Sequence, residues 1–530
     1  MNKNLFSSLL AKAPAATAVN GAGGKAYQKD DRHALASLVL TGCFNGTFYA
    51  SAEDQLTKVI ELAGKVPAEF LAKLALVARK DAYLKDSPAL LLAVLTVRDA
   101  DLAERVFPQV IDNLKMLANY VMVIRAGTVG RKSLGSRPKR WVRQAIAART
   151  PAQLFTGSVG LSPTLADLVK MVHPKPETAE RRALYAWLIG RPYETSELPP
   201  EVQAFEAFKA ERRAGIRSEV LDLPFQMLAS LDLDTEDWKG VARNCSWQVA
   251  RMNLNTFARH GVLKDEASVE ALATKLRDEA LIAKARVLPY QILNAYKQVD
   301  DEVPRKLRDS LADALEIATR QVPAFTGRTV VFVDVSGSMH SAITGNRKGA
   351  TSKVRCLDVA ALIAACVLRK NPDAMVVPFA EKVREDAIRQ LEPRDSVMTN
   401  AERLSSQPGG GTHCASGMEW MNRKGHRADT VLYVSDNESW MDRAQGRGTA
   451  LMEQWLKFKD KNPSAKLVCL DLQPNITCQA PERQDIFNIS GFSDAVFGLL
   501  QRIAEGEVDA GFLVQSLEAR PLPLKKEEKT

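Results

Sequence analysis

The stretch from Thr329 to His340 reads T-V-V-F-V-D-V-S-G-S-M-H. A β-branched run ends on Asp334, and Ser336 and Ser338 follow at alternate positions. Such a run predicts a strand, and the Ser/Gly turn after it predicts the loop that leaves the sheet. The loop offers one carboxylate and two hydroxyls to a common point. Oxygen-only donors suit a hard cation such as Mg²⁺, which takes few carboxylates and keeps some waters. In an open α/β sheet a ligand sits beyond the carboxyl ends of the strands, where this loop falls. Taken alone, D-x-S-x-S is also a common turn after a strand.

Two later loops supply what the first lacks. P-G-G-G-T-H-C places Thr412 after three glycines, a backbone able to approach an ion closely. T-V-L-Y-V-S-D-N-E, from Thr430, is a second strand that runs into Asp436. Read locally, Thr412 and Asp436 are turn and cap residues. Read together, Asp334, Ser336, Ser338, Thr412 and Asp436 resemble, in order and type, the metal-ion-dependent adhesion site of von Willebrand factor A domains. That resemblance implies a divalent cation, Mg²⁺, held by these five residues.

The surrounding sequence predicts one doubly wound, Rossmann-like α/β domain over residues 323–510. Further strands are expected from Ala374 (A-M-V-V-P-F-A), Ala465 (A-K-L-V-C-L-D-L) and Ile486 (I-F-N-I-S). Helices are expected from Val354 to Lys370, from about Met441 to Lys461, and from Asp494. Continuous apolar strands alternating with helices predict a mainly parallel sheet.

A chain of 530 residues needs two or more domains, and 46% hydrophobic with 25% charged residues is ordinary globular composition. Its seven cysteines are odd in number and form no C-x-x-C pair, which points to reduced thiols in the cytoplasm and away from zinc. P-A-L-L-L-A-V-L-T-V from Pro88 is too short to span a membrane. Lys12 interrupts the apolar core of the first residues, so 1–24 are expected to be a flexible cytosolic terminus rather than a signal peptide. A charged tail is expected at 511–530.

Between Asp31 and Arg320 the pattern is helical almost throughout. Ser51 to Asp54 (S-A-E-D) reads as a capping box opening a helix that stops at Gly64. Later segments form short-linked helix pairs, which indicates a HEAT-like solenoid over 25–322. Net charge is +9, so its distribution matters more than its total. From Arg131 to Arg143 lie Arg131, Lys132, Arg137, Lys139, Arg140 and Arg143 with no acidic residue among them, and Trp141 is interleaved. A second cluster holds Lys170, His173, Lys175, Arg181 and Arg182. Such groups can neutralise phosphates, and an indole can stack on an unpaired base. The alternative is a solvated face with Trp141 and His173 in the core.

The whole chain resembles the Ro autoantigen family, whose TROVE module precedes a von Willebrand A domain. The likeness runs through L-V-L-T-G-C-F-N-G-T-F-Y-A, K-R-W-V-R-Q-A-I-A, L-A-D-L-V-K-M-V-H-P-K-P and A-R-M-N-L-N-T-F-A-R-H-G-V-L. It continues through V-D-V-S-G-S-M, G-G-G-T-H-C and V-S-D-N-E-S-W. It implies a mainly α plus α/β protein in which the solenoid closes into a ring. It implies structured Y RNA on the outer surface, single-stranded 3′ ends of misfolded RNA in the central hole, and association with a 3′-to-5′ exoribonuclease. Carried over by position, the RNA-binding candidates are Arg137, Lys139, Arg140, Arg143, Lys170, His173 and Arg251.

Three function classes follow: an RNA-binding scaffold acting in noncoding RNA quality control, a metal-dependent nuclease, and a metal-dependent protein-binding module. Two-metal nucleases cluster several carboxylates, whereas these five residues give two carboxylates and three hydroxyls. His413, beside Thr412, reads as a turn residue. The expectation is a cytoplasmic, monomeric, non-enzymatic RNA-binding protein.

Overall fold

Eight runs of extended backbone occur among the described residues: β1 (Ala18–Val19), β2 (Lys25–Gln28), β3 (Thr329–Asp334), β4 (Met375–Phe379), β5 (Thr430–Ser435), β6 (Lys466–Asp471), β7 (Thr477–Cys478) and β8 (Ile486–Ser490). The structure is a computed structural model; it describes all of the chain except residues 1–12, 42–44, 46–48, 217–218, 286, 288, 347–352, 442–445, 474, 492–494, 510 and 525–530. Five strands make one parallel sheet in the order β4-β3-β5-β6-β8. Every residue of β3 and β5 is buried, as expected of parallel strands covered on both faces. Phe332, Phe379 and Tyr433 interlock at the centre, with ring centroids 4.6–6.2 Å apart. Pro378, which cannot donate a ladder hydrogen bond, lies on the edge strand β4.

The strand order explains where a ligand belongs. From β3 the chain passes first to β4 on one side and then to β5 on the other, so the order reverses between β3 and β5. The crevice above that reversal is the ligand position of such sheets. Asp334 ends β3, and Asp436 is the first residue beyond β5. The expected parallel α/β domain is therefore present, with helices at Cys356–Lys370, Ala415–Lys424, Ala450–Lys459 and Ala495–Glu505. Two of these differ from expectation at their starts: residues 442–445 and Asp494 lie outside the described residues.

Compactness divides the chain differently from the expected boundaries. One unit holds residues 1–65, 277–298 and 309–519; the other holds 66–276, 299–308 and 520–530. In the first unit, residues from Ala13 onward are not the free terminus expected over 1–24. β1 and β2 form a hairpin, and β2 pairs with β7 through Tyr27 and Cys478. Lys29 then makes a 2.9 Å ion pair with Asp471 at the end of β6, both side chains only 1% exposed. The expected tail at 511–530 likewise contains a helix, Phe512–Ala519, which buries Leu517; residues 525–530 lie outside the described set.

The second unit is helical. Short turns join Ala68–Lys80, Asp86–Arg98, Ala100–Val110, Leu114–Ala126 and Ser136–Ala147 in series. Side-chain caps fix their starts: Asp99 accepts from Leu102, Asn113 from Met116, and Thr150 and Thr164 form reciprocal capping boxes with Gln153 and Asp167. The capping box read at Ser51 is present as well, in the first unit, with Asp54 N–H donating to Ser51 Oγ at 3.1 Å.

His33, on the helix Asp31–Thr41 of the first unit, carries a pH prediction. Burial and then the Lys29 charge lower its pKa to about 4. The unfolded chain binds this proton near pH 6.5, so unfolding takes up a proton between about pH 4 and 6.5. Stability from this group is full above pH 6.5 and is lost as pH falls through 4. The loss amounts to about 3 kcal/mol. In His33→Gln, the drop in unfolding free energy between pH 7 and pH 4.5, read from urea curves, should shrink by about 2–3 kcal/mol relative to the parent; an equal drop would refute it.

Candidate metal centre and nucleic-acid interface

The three loops predicted to share a cation are brought together. Asp334 Oδ1 accepts from the Ser336 N–H at 2.9 Å, and its Oδ2 accepts from the Ser435 hydroxyl at 2.6 Å. Ser336 and Ser338 hydroxyls lie 3.3 Å apart. Gly337 N–H donates to Gly410 O at 2.9 Å, which ties the first loop to the glycine turn. Thr412 O in turn accepts from the N–H groups of Trp440 and Met441, beyond β5. None of Asp334, Ser336, Ser338, Thr412 and Asp436 is more than 4% exposed.

The electrostatics fit a cation. Burial, and after it the Asp334 charge, push the Asp436 carboxyl up to about 8. Burial moves Asp334 upward too. Two carboxylates this far from water need a counter-charge before both can ionise. Asp436 Oδ2 is buried with no hydrogen-bond partner among the described residues. Among those residues no three His, Cys, Asp or Glu side chains converge on one point. A divalent ion here would therefore complete its shell from hydroxyls and water, a donor set suited to Mg²⁺. His413 stands outside this set: its Nδ1 lies 3.3 Å from Glu381 O and its Nε2 3.7 Å from Glu419.

Two further residues border the site. Glu438 is buried, and its carboxyl, pushed up to about 7 by burial, accepts from the N–H of Ala22 at 3.1 Å. Tyr49 is half-buried. Burial and the neighbouring Asp436 charge raise the Tyr49 phenol.

On the helical unit the basic candidates separate into three groups. Arg143 Nε donates to Val172 O, which sets the Ser136–Ala147 helix against the end of Leu165–Val172. Lys170 and His173 project there, both exposed, with His173 capping the helix in the left-handed conformation at φ 48°. Lys139 is on the same Ser136–Ala147 helix and, like Lys170, has no carboxylate partner among the described residues. Arg137 and Arg140 are instead compensated: Arg137 pairs with Asp101, and Arg140 with Glu104 at 2.8 Å. Arg251 departs most from expectation. It is 8% exposed, its Nη2 donates to Gln248 Oε1 at 2.8 Å, and its guanidinium lies 5.9 Å from the Trp247 ring. Trp141 is a core residue, 5.5 Å from Phe107 and 2% exposed, so it offers no surface for a base.

Residues 328–504 match the family model described as the Ro60 vWA domain. The chain is 27% identical to the RNA-binding protein RO60 of Deinococcus radiodurans over 524 residues, 92% of this chain and 95% of that protein. The chain is thus similar to Ro-family proteins. Its fold is similar to that in the crystal structure of the Deinococcus radiodurans RO (RSR) protein, with a TM-score of 0.61 at 23% identity over 90% of this chain and 100% of that one.

The helical charges held a signal that sequence reading passed over. Pro138, Trp141, Val142 and Ile146 recur at helical spacing, which marks Trp141 as inward-facing. Tyr49, Glu438 and Lys29 carried no such local pattern.

Proposed function

We propose that this chain is a non-enzymatic RNA-binding protein acting in noncoding RNA quality control or processing in the cytoplasm. It takes structured, Y-like RNA on the exposed basic face of the helical unit. It takes single-stranded 3′ ends in the hole of a closed solenoid, and works as a monomer with a 3′-to-5′ exoribonuclease. The observation that carries this reading is the convergence of Arg143, Lys170 and His173 at the end of one exposed helix. The similarity to a protein named as RNA-binding supports it. Recognition by shape, phosphate neutralisation and stacking needs no catalytic residue.

A second reading runs beside the first, favoured by the unpartnered Asp436 Oδ2. Asp334, Ser336, Ser338, Thr412 and Asp436 hold Mg²⁺, which when bound supplies an open position that a partner protein's carboxylate can complete. The hydroxyl-rich donor set favours such binding over hydrolysis, because two-metal phosphoryl chemistry draws on more carboxylates.

The test of the RNA reading is topological. A strand enters a closed ring only from a free end, with its bases unpaired, and phosphate contacts then hold it with little sequence preference. One stem carrying a free 3′ tail is compared with a twin whose tail is blocked by a bulky group. The free tail should bind at least tenfold more tightly by filter binding, whereas equal affinities would leave an open solenoid.

A further inference from the structure

Thr412 and Asp436 stand on separate loops, one leaving the glycine turn and one leaving β5, and a buried serine joins them. Glu438 N–H donates to Asp436 Oδ1 at 3.3 Å, which fixes that carboxylate to its own loop. Further on, the same loop grips the glycine turn. The N–H groups of Trp440 and Met441 donate to Thr412 O at 3.2 and 3.1 Å. Ser439 donates its hydroxyl to Thr412 O at 3.4 Å and accepts from the Cys414 N–H at 3.0 Å. Ser439 is 1% exposed, so water does not share in these bonds. Its carbonyl is held from the far side by Asn20 Nδ2 at 2.7 Å. Asn20 is itself fixed, because its Oδ1 accepts from the N–H groups of Ala22 and Gly24 at 3.1 and 2.7 Å. Gly24 admits no side chain there: a Cβ would fall 1.9 Å from Ser439 O.

We propose that Ser439 is a positioning residue of the cation site, holding the Thr412 hydroxyl in register with Asp436, and that Asn20 acts through Ser439. This rests on the reading of the five donors as a cation site. A carboxylate is drawn to a cation by charge, but a neutral hydroxyl contributes only where the backbone already places it. Mg²⁺ tolerates little error, since it demands near-ideal octahedral geometry. Thr412 follows three glycines in a row, the least constrained backbone among the three loops, so its register has to be set from outside the turn. Ser439 sets it by bridging Thr412 and Cys414 while its own carbonyl is anchored on Asn20. Partners one step removed from an ion typically change metal affinity about 10- to 100-fold.

The test is a double-mutant cycle on the full chain, read by calorimetry with Mn²⁺ as the titrant. Mn²⁺ should bind the parent, fail to bind Asp334→Ala, and bind Ser439→Ala about tenfold more weakly. In a Thr412→Ala background, Ser439→Ala should cost nothing further, because the donor it positions is already gone. A packing defect would instead weaken binding by the same factor in both backgrounds. Asn20→Asp supplies a second variant: it keeps the oxygen that organises the turn and loses the donor to Ser439 O. Its added negative charge alone would tighten cation binding, so weaker binding reads lost positioning with the opposite sign. Asn20→Asp should therefore bind Mn²⁺ more weakly than the parent, and binding as tight or tighter removes Asn20 from the proposal. Equal affinity for Ser439→Ala and the parent, or an equal loss in both backgrounds, overturns the role of Ser439 and leaves the five donors standing. No binding to the parent, or binding that survives Asp334→Ala, overturns both.

Discussion

Lys139→Glu combined with Lys170→Glu should weaken binding of structured RNA by roughly 30-fold at 0.15 M salt, and should flatten its salt dependence. Each phosphate contact contributes about 0.7 to 0.9 to the log–log salt slope, which is about fivefold in affinity per contact at that ionic strength. Both lysines are free of carboxylate partners among the described residues, so their charge is available to a phosphate without first breaking an ion pair. Arg140 is different because Glu104 holds it at 2.8 Å. Arg140→Ala should therefore cost less than the change at either lysine. Filter binding across 50–300 mM salt reads both quantities on protein shown to be folded by circular dichroism. Unchanged affinity and slope in the double variant would remove this face from RNA contact.

A second large effect is expected at the buried pair between Lys29 and Asp471. Both side chains are 1% exposed, and burial raises the Asp471 carboxyl even with Lys29 2.9 Å away. Removing one partner of such a pair strands a charge in low dielectric, at a cost of about 3–5 kcal/mol. Lys29→Met should lower the stability of the first unit by that amount. It should also expose the bond after Lys25 to trypsin, since Lys29 lies just beyond β2. Adding Asp471→Leu should recover most of the loss, because an apolar pair of similar volume carries no desolvation penalty. Urea unfolding and timed proteolysis check both steps. A double variant no more stable than Lys29→Met would mean that hydrogen bonds of the Asp471 carboxylate, not the stranded charge, hold this corner.

The parallel sheet was legible because its signal is local. Thr329–Asp334 and Thr430–Ser435 are continuous β-branched and aromatic runs, and the polar residues that end them fall at the reversal of strand order. The convergence of the loops that carry Asp334, Ser336, Ser338, Thr412 and Asp436 was legible for the same reason, each residue standing beside its own strand end or glycine turn. The amino-terminal hairpin was not, because β2 is four residues long and its partner β7 lies 451 positions later, from Tyr27 to Cys478. Nor was the neutralisation of Arg137 and Arg140. Their acids sit two helices back, on Ala100–Val110, 36 positions earlier. A window over 131–143 sees only cations. The burial of Arg251 was not legible because a guanidinium can be buried when it lies over a ring and donates to a side-chain amide, and neither partner is apparent from charge alone.

The same 451-residue separation between Tyr27 and Cys478 has a consequence for biosynthesis. A ribosome adds roughly 5–20 residues per second, so β2 waits about 20 to 90 s for the strand that pairs with its outer edge. During that interval the helical repeats can already fold on local contacts, while an unpaired hairpin edge, with Tyr27 destined for the core, stays open to solvent. A segment made 451 residues ahead of its partner is thus among the last to find its place. A nascent-chain chaperone has its longest opportunity there, and a truncation that removes β7 leaves the front of the chain, as well as its end, without a partner.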